Sequence, residues 1–379
     1  MQLQLKQRID NLIGGALVAL HVVPVRLAGK LLRIDHSLKK DPDNIIVIKM
    51  LGLGSLVLSG DALLALKKKY PKAKLILIGG NALKGNADIM GLFDSVWIID
   101  DSSFLKMLSS AFNIVFKCLR LRNKWCFDFE VYSRLTTIFS LYTFSTNRFG
   151  FEFEKVNFRN YLNTHNTYFN QFIPSEENYN HMAESAGAVV DERYYLPATT
   201  SNRKPEYIVI NNTCSDLSIQ RKLEPEQLTG TIKLLLTNTQ YKIALAGAPA
   251  DKAVNENILK VLNDASPRVE NWAGVFSFNE YTNKLAGHTA ALLTIDSAPL
   301  HIAARLKVPL LAVWGPTQPQ SLAPNWLRSS PLYREINLAV HCSPCVHQTK
   351  ELPCKGNNFC IKDIAPHQIS NALNELING

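Results

Sequence analysis

Residues 294–317, TIDSAPLHIAARLKVPLLAVWGPT, restrict the fold of this chain more than any other stretch. The apolar run Ala290 to Ile295 reads as a buried strand. Asp296 and Ser297 follow it, and either residue type can cap a helix N-terminus. Pro299 comes next, at an early helical position where its missing N–H costs nothing. Leu300, Ala303, Ala304 and Lys307 continue at helical spacing, and Val308 to Trp314 reads as a second strand. Gly315-Pro316-Thr317 turns the chain at its end. A strand, a helix and a parallel strand imply an α/β sheet. Ligands of such sheets collect at the carboxyl ends of the strands, where a helix N-terminus offers free N–H groups to a phosphate. The same pattern also suits an ordinary capped helix in an α/β core.

The pattern recurs on both sides of a central break. Ile45 to Ile48 reads as a strand, followed by Lys49 and by the glycine turn Leu51-Gly52-Leu53-Gly54-Ser55. Leu56 to Tyr70 reads as a helix with a basic end, and Pro71 stops it. Lys74 to Ile78 and Val96 to Ile99 are further strands. Residues 157–200 are rich in Asn, Tyr and Pro and carry a last helix, about His181 to Ala186, before a linker. The pattern then restarts: Tyr207 to Ile210 as a strand, a polar turn from Asn211 to Ser218, a helix from Pro225 to Leu236, and a strand from Lys242 to Ala246. The expected fold is two Rossmann-like, doubly wound α/β domains, 44–200 and 201–379, facing each other across a cleft. Arg221 and Lys222 are candidates for a phosphate in that cleft, or a solvated basic corner. Gly52-x-Gly54 lacks the third glycine of a dinucleotide fingerprint, so a plain tight turn serves equally well.

Trp125 to Val131 reads as another strand, with Cys126, Asp128 and Glu130 alternating against Trp125, Phe127, Phe129 and Val131. Two acids on one strand face are either a general base and its neighbour or solvent-facing acids at a sheet edge.

Residues 1–43 differ from the rest. Ile9, Leu12, Ile13, Ala16, Leu17 and Leu20 form one apolar helical face, Pro24 interrupts, and Leu27, Leu31 and Ile34 resume. Basic residues outnumber acidic ones there, and the apolar core from Leu12 to Leu20 is far short of a bilayer span. Such a segment can lie in the interface of an anionic membrane. It can also pack on the protein itself. A signal peptide is disfavoured by the absence of a clear small-residue cleavage pattern. The whole chain carries +9, which favours anionic partners. The sequence holds no RNA-binding signature, so nucleic acid is not the expected partner.

Four of the seven cysteines fall in the polar loop 342–360. Cys342-x2-Cys345, followed by Cys354 and Cys360, suits a tetrahedral structural zinc. Disulfides or free thiols that merely order a loop are the other readings, and an odd cysteine count in a chain this long suggests a reducing compartment.

The blocks IIVIKMLGLGS, DALLALKKKYPKAKLILIGG, RKLEPEQ, LAGAPADKAVNENI, TIDSAPLHIAARLKVPLLAVWGPTQP and HCSPCVHQTKELPCKGNNFCIKDIAP occur in this order. Together they resemble the heptosyltransferase-like glycosyltransferases of family 9, across roughly residues 44–370. The resemblance implies GT-B architecture and inverting transfer of a sugar, commonly heptose from an ADP-sugar, to lipopolysaccharide core or a related surface glycolipid. It implies no cofactor for transfer, and a peripheral location at the cytoplasmic face of the inner membrane. Asp296, Ser297, Ala298 and His301 match the donor-binding loop and helix start, with Ala298 where the family usually has Gly. Arg221, beside Lys222, matches a basic residue on the donor phosphate, Asp251 a ribose-binding acid, and Gly315 and Thr317 the same pocket. Gly54 and Ser55 match the first glycine turn, where the family's proposed base is an Asp in place of Ser55. A carboxylate from elsewhere is therefore expected, with Glu130 first and Asp61 or Asp128 behind it. The departure at Ser55 leaves two alternatives: a catalytically inactive nucleotide-sugar-binding subunit of a glycan assembly complex, or a sugar-nucleotide epimerase of the same architecture.

Overall fold

The computed structural model describes residues 5, 8–197, 203–214, 219–262, 267–346, 348–349 and 351–378. The expected domain boundary after residue 200, Lys6 and turn residues 215–218 lie outside these. The chain divides into two compact units, Met1–Tyr194 and Tyr195–Gly379. Each is built on one six-stranded sheet whose pairings are all parallel, with helices packed against it.

In the first unit β1 (Asn44–Lys49), β2 (Lys74–Gly80), β3 (Ser95–Ile99), β4 (Lys124–Asp128), β5 (Asn147–Glu152) and β6 (His165–Tyr168) are ordered β3-β2-β1-β4-β5-β6. β1 is buried along its full length, as its unbroken apolar run requires of a central parallel strand. In the second unit β7 (Tyr207–Asn211), β8 (Lys242–Ala246), β9 (Val269–Asn271), β10 (Thr289–Ile295), β11 (Leu310–Trp314) and β12 (Tyr333–Asn337) are ordered β12-β11-β10-β7-β8-β9. Both orders reverse direction once, between β1 and β4 and between β7 and β10. A crevice opens at such a point, because the connections on its two sides run to opposite faces.

Three local expectations change. The helix expected from Leu56 to Tyr70 is two, Leu53–Leu58 and Gly60–Lys69, broken at Ser59, whose Oγ donates to the Leu56 carbonyl at 2.7 Å. The strand expected from Trp125 to Val131 stops at Asp128, so Glu130 stands on the loop beyond β4. At the N-terminus a π-helical stretch, Asp10–Gly14, runs into the helix Gly15–Leu32, which passes through Pro24 instead of breaking there. By length and composition this 23-residue segment, with mean hydropathy 1.7, is long and apolar enough to cross a membrane. One side of it is nevertheless docked on the first unit. Val18 packs with Ile138 and Leu162, His21 Nε2 lies 2.7 Å from the Tyr142 hydroxyl, and Arg26 stacks over Tyr161.

Candidate functional site

The reversal in the first unit gathers a polar cluster. Lys49 ends β1 and Gly52 turns the chain at φ +83°, a conformation that favours glycine. The Ser55 hydroxyl donates to the Gly52 carbonyl at 2.8 Å and closes the turn. Glu130 reaches back from beyond β4, and its Oε1 accepts from the Met50 and Leu51 amides at 2.8 and 3.0 Å and from Lys49 Nζ at 3.1 Å. Its described contacts all fall on Oε1, which leaves Oε2 for another partner. Burial pulls the Lys49 ammonium down, but the charge of Glu130, with Tyr179 and Asp128, raises it overall, so the ammonium stays charged. Tyr179 is buried beside them, shares a hydrogen bond with Ser55, and has its phenol pushed up, mainly by burial.

The other two carboxylate candidates are committed elsewhere. Asp128 is fully buried and its Oδ2 accepts from Arg159 Nη1 and Thr136 Oγ1, both at 3.0 Å. Burial pushes its carboxyl up and Arg159 pulls it back. Asp61 is buried in the helix Gly60–Lys69, where its Oδ1 accepts from the Tyr194 amide at 2.7 Å. Both are structural acceptors in this geometry.

The second reversal lies between Asn211 and Ile295, the carboxyl ends of β7 and β10. Asp296 and Ser297 leave β10, and Ala298–Arg305 is helical with Ser297 at its cap, whose side chain makes no capping hydrogen bond. Arg221 Nη1 donates to the Asp296 carbonyl at 2.6 Å and to its Oδ2 at 3.2 Å. His301 is 6% exposed, and its Nδ1 has no partner among the described residues. Burial is the main reason its imidazole is lowered to about 4, Asp296 acting against this and Arg305 with it, so the ring is neutral at pH 7. The buried Thr317 Oγ1, beyond the neighbouring strand β11, likewise lacks a partner. Two buried polar side-chain atoms, one on the helix after β10 and one just beyond β11, thus have no hydrogen-bond partner among the described residues. Lys222 lies 3.5 Å from Asp251, whose Oδ2 accepts from the Ala248 amide at 3.0 Å.

The cysteine loop frames this edge instead of building a separate centre. The Cys345 and Val346 amides both donate to the Pro316 carbonyl at 3.1 Å, and Ser343 Oγ donates to the Gly315 carbonyl at 2.6 Å. A Cβ on Gly315 would stand 2.5 Å from Ile361, so only glycine allows that approach. Asn358 Nδ2 donates to the Gln220 carbonyl at 2.8 Å, next to Arg221. The expected zinc site finds no support. The four cysteines are free thiols, and no group of three or more His, Cys, Asp or Glu able to hold a metal occurs among the described residues. Burial, the main cause, pushes the Cys345 thiol up and Cys360 to about 11, with the nearby Cys342 and Cys354 adding to both shifts.

The structure thus groups Arg221, Lys222, Asp251, Asp296, Ser297, Ala298, His301, Gly315 and Thr317 along one sheet edge of the second unit. Gly54 and Ser55, expected at the donor, belong with Glu130 to the first unit. Sequence reasoning missed Tyr179, Arg159 and the Ser343–Val346 clasp. No spacing pattern links Tyr179 to β1, whereas Lys49 at a strand end was a signal for the cluster.

The sequence profile of glycosyltransferase family 9 (heptosyltransferase) matches residues 161–355. Lipooligosaccharide heptosyltransferase 2 of Haemophilus influenzae is 37% identical over 91 residues, 24% of this chain and 26% of that protein. A protein of the same name from Campylobacter jejuni is 26% identical over 137 residues, 36% of this chain and 41% of that one. The matched stretches therefore span well under two thirds of these relatives. The solved ADP-heptose lipopolysaccharide heptosyltransferase II of E. coli superposes with TM-score 0.68 at 18% identity, over 88% of this chain and 98% of that one. A family 9 glycosyl transferase from Veillonella parvula gives 0.71 at 16% identity, over 91% and 99%. At these identities the likeness is one of fold.

Proposed function

The chain belongs to glycosyltransferase family 9, and from that premise we propose that it is an inverting glycosyltransferase. It moves a heptose-like sugar from a nucleotide-sugar donor, ADP-heptose or a close analogue, to a lipopolysaccharide-core or related surface-glycolipid acceptor. The observation that carries this reading is the carboxyl edge of the second sheet, which carries the start of helix Ala298–Arg305, Arg221 on Asp296, and His301 Nδ1 and Thr317 Oγ1, both without a partner among the described residues. That set suits an anionic diphosphate with polar groups attached. The names of the relatives favour ADP-heptose as the first donor to test.

In this mechanism the acceptor hydroxyl attacks the anomeric carbon as the bond to the nucleoside diphosphate breaks. Charge builds on the leaving phosphate, and the helix start and Arg221 stabilise it there. The proton lost by the hydroxyl goes to Glu130 Oε2. Oε1 is held by the Met50 and Leu51 amides, which fixes the carboxylate in place. Ser55 closes its turn and takes no proton. Lys222, Asp251, Gly315 and Thr317 bind the rest of the donor, and transfer uses no cofactor. The enzyme works as a peripheral protein at the cytoplasmic face of the inner membrane, a reading supported by the outer side of helix Gly15–Leu32, where Leu20, Val23, Leu27 and Leu31 are exposed.

The test is turnover with ADP-heptose and a truncated core glycolipid, followed by mass spectrometry. Glu130→Gln keeps acceptors for the two amides and loses the basicity, so turnover falls about 10²–10⁴-fold while donor affinity stays nearly intact. Ser55→Ala costs much less. Full turnover in Glu130→Gln removes it as the base. If no ADP-, UDP-, GDP- or CMP-sugar raises the thermal midpoint, the donor reading itself fails.

A further inference from the structure

The helix Phe104–Arg120 joins β3 to β4 and buries only part of its apolar surface. Met107, Ala111, Ile114 and Cys118 pack on Ile46, Ile48 and Ile78 of the sheet. A second row, Phe104, Leu105, Leu108, Phe112, Phe116 and Leu119, recurs at three- and four-residue steps and stays exposed. Phe112 and Phe116 are 63% and 61% exposed. A continuous row of this size is rarely left to water, because its burial is favourable wherever a partner exists. No acidic residue occurs between Ser102 and Lys124, while Lys106, Lys117, Arg120 and Arg122 are all exposed.

Phe139 of the helix Arg134–Tyr142 joins the same core cluster, so both helices cover one face of the sheet. The N-terminal helix packs on Arg134–Tyr142 in turn, through Val18 and Ile138. The uncovered apolar sides of Phe104–Arg120 and of Gly15–Leu32 thus belong to the layer on one side of a single sheet. Each is apolar with basic flanks, the pattern of a helix lying in a charged interface.

We propose that the exposed row of helix Phe104–Arg120 is a membrane-docking surface that inserts into the headgroup region of an anionic bilayer, beside the N-terminal helix. A second copy of this chain is a poorer occupant, because a two-fold contact would set the same basic flanks against each other. The proposal stands apart from sugar transfer, since lipid binding is read without substrate.

The experiment is flotation of the full chain with phosphatidylcholine vesicles, with and without phosphatidylglycerol, across a salt series. Wild-type protein should float only with the anionic vesicles, and less as salt rises. Phe112→Ser with Phe116→Ser should weaken partitioning roughly tenfold or more, with the thermal midpoint kept because both positions are exposed. Arg120→Glu with Arg122→Glu, which alters no apolar residue, should also weaken it. Leu20→Ser with Leu27→Ser probes the N-terminal helix separately. Wild-type partitioning in the two Phe104–Arg120 variants overturns the proposal, whatever the N-terminal variant does. So does light scattering that shows a dimer which Phe112→Ser with Phe116→Ser dissolves.

Discussion

His301 shows how one buried side chain ties the candidate donor site to stability. Its usual value is 6.5 and the folded chain lowers it to about 4, chiefly by burial. Between those values the unfolded chain binds more protons than the folded one, so stability rises with pH in that window. The contribution is complete above pH ~6.5 and is lost as pH falls toward ~4, by an amount on the order of 2–3 kcal/mol. His301→Gln cannot titrate, and its denaturant midpoint should therefore change less between pH 7 and pH 5 than that of the wild type. Equal pH slopes for the two proteins would rule His301 out as the source. Arg221 and Asp296 carry a second expectation. Each change to Ala should weaken nucleotide-sugar binding by about 1–3 kcal/mol, as expected for a lost charged hydrogen bond. Because Arg221 already donates to Asp296, the losses should not add, and the double variant should fall short of their sum by about 1 kcal/mol. Calorimetric titration measures all three variants. Unchanged affinity in both single variants takes these residues out of the site.

At the scale of elements, the N-terminal segment is part of the first unit as well as a surface. Asp10 Oδ1 accepts from Ser133 Oγ and the Leu135 amide at 2.6 and 2.9 Å, and its Oδ2 accepts from the Arg134 amide at 2.9 Å. A carboxylate from another segment thus satisfies the start of helix Arg134–Tyr142. Asp10→Ala should cost about 1–2 kcal/mol in chemical denaturation and leave nucleotide-sugar affinity untouched. An unchanged midpoint would refute the cap. It follows that deleting residues 1–43 removes a structural support along with an apolar surface, so point variants of the exposed side test lipid binding more cleanly. The sequence made the central strands legible, because β1, β10 and β11 are buried on both faces and read as unbroken apolar runs. It hid β5, whose run NRFGFE mixes charge and glycine, and β6, a four-residue edge strand. Phe104–Arg120 is different: its apolar residues share one broad arc, and the spacing does not tell how much of that arc the sheet covers. The proposed donor edge is legible because polar residues directly follow buried strands. The partners of Glu130 were not, since 79 to 81 positions of chain separate it from Leu51, Met50 and Lys49.

At the scale of the molecule, the residues proposed to hold the donor all fall in the unit Tyr195–Gly379, and the proposed base falls in Met1–Tyr194. The second unit has its own parallel sheet and a core drawn entirely from within it, with Ile208, Ile210, Leu245, Leu293 and Val313 of the strands packed against Leu228, Ile232 and Leu373 of the helices. Its size lies within the range of domains that fold alone. Donor binding and transfer should therefore separate when the chain is divided. The fragment 195–379, expressed alone, should melt cooperatively and bind the same nucleotide-sugar as the full chain, within about tenfold. The ordering of the fragment's own loops is the main cost added relative to the full chain, and no more than about 1.4 kcal/mol of affinity is expected to be lost. The fragment should transfer no sugar, and adding Glu130→Gln full-length protein should not restore transfer. Calorimetric titration of the fragment and the full chain with one nucleotide-sugar decides the first point. A fragment that folds by circular dichroism yet binds nothing the full chain binds would move essential donor contacts into the first unit, with Gly54 and Ser55 the first residues to examine there.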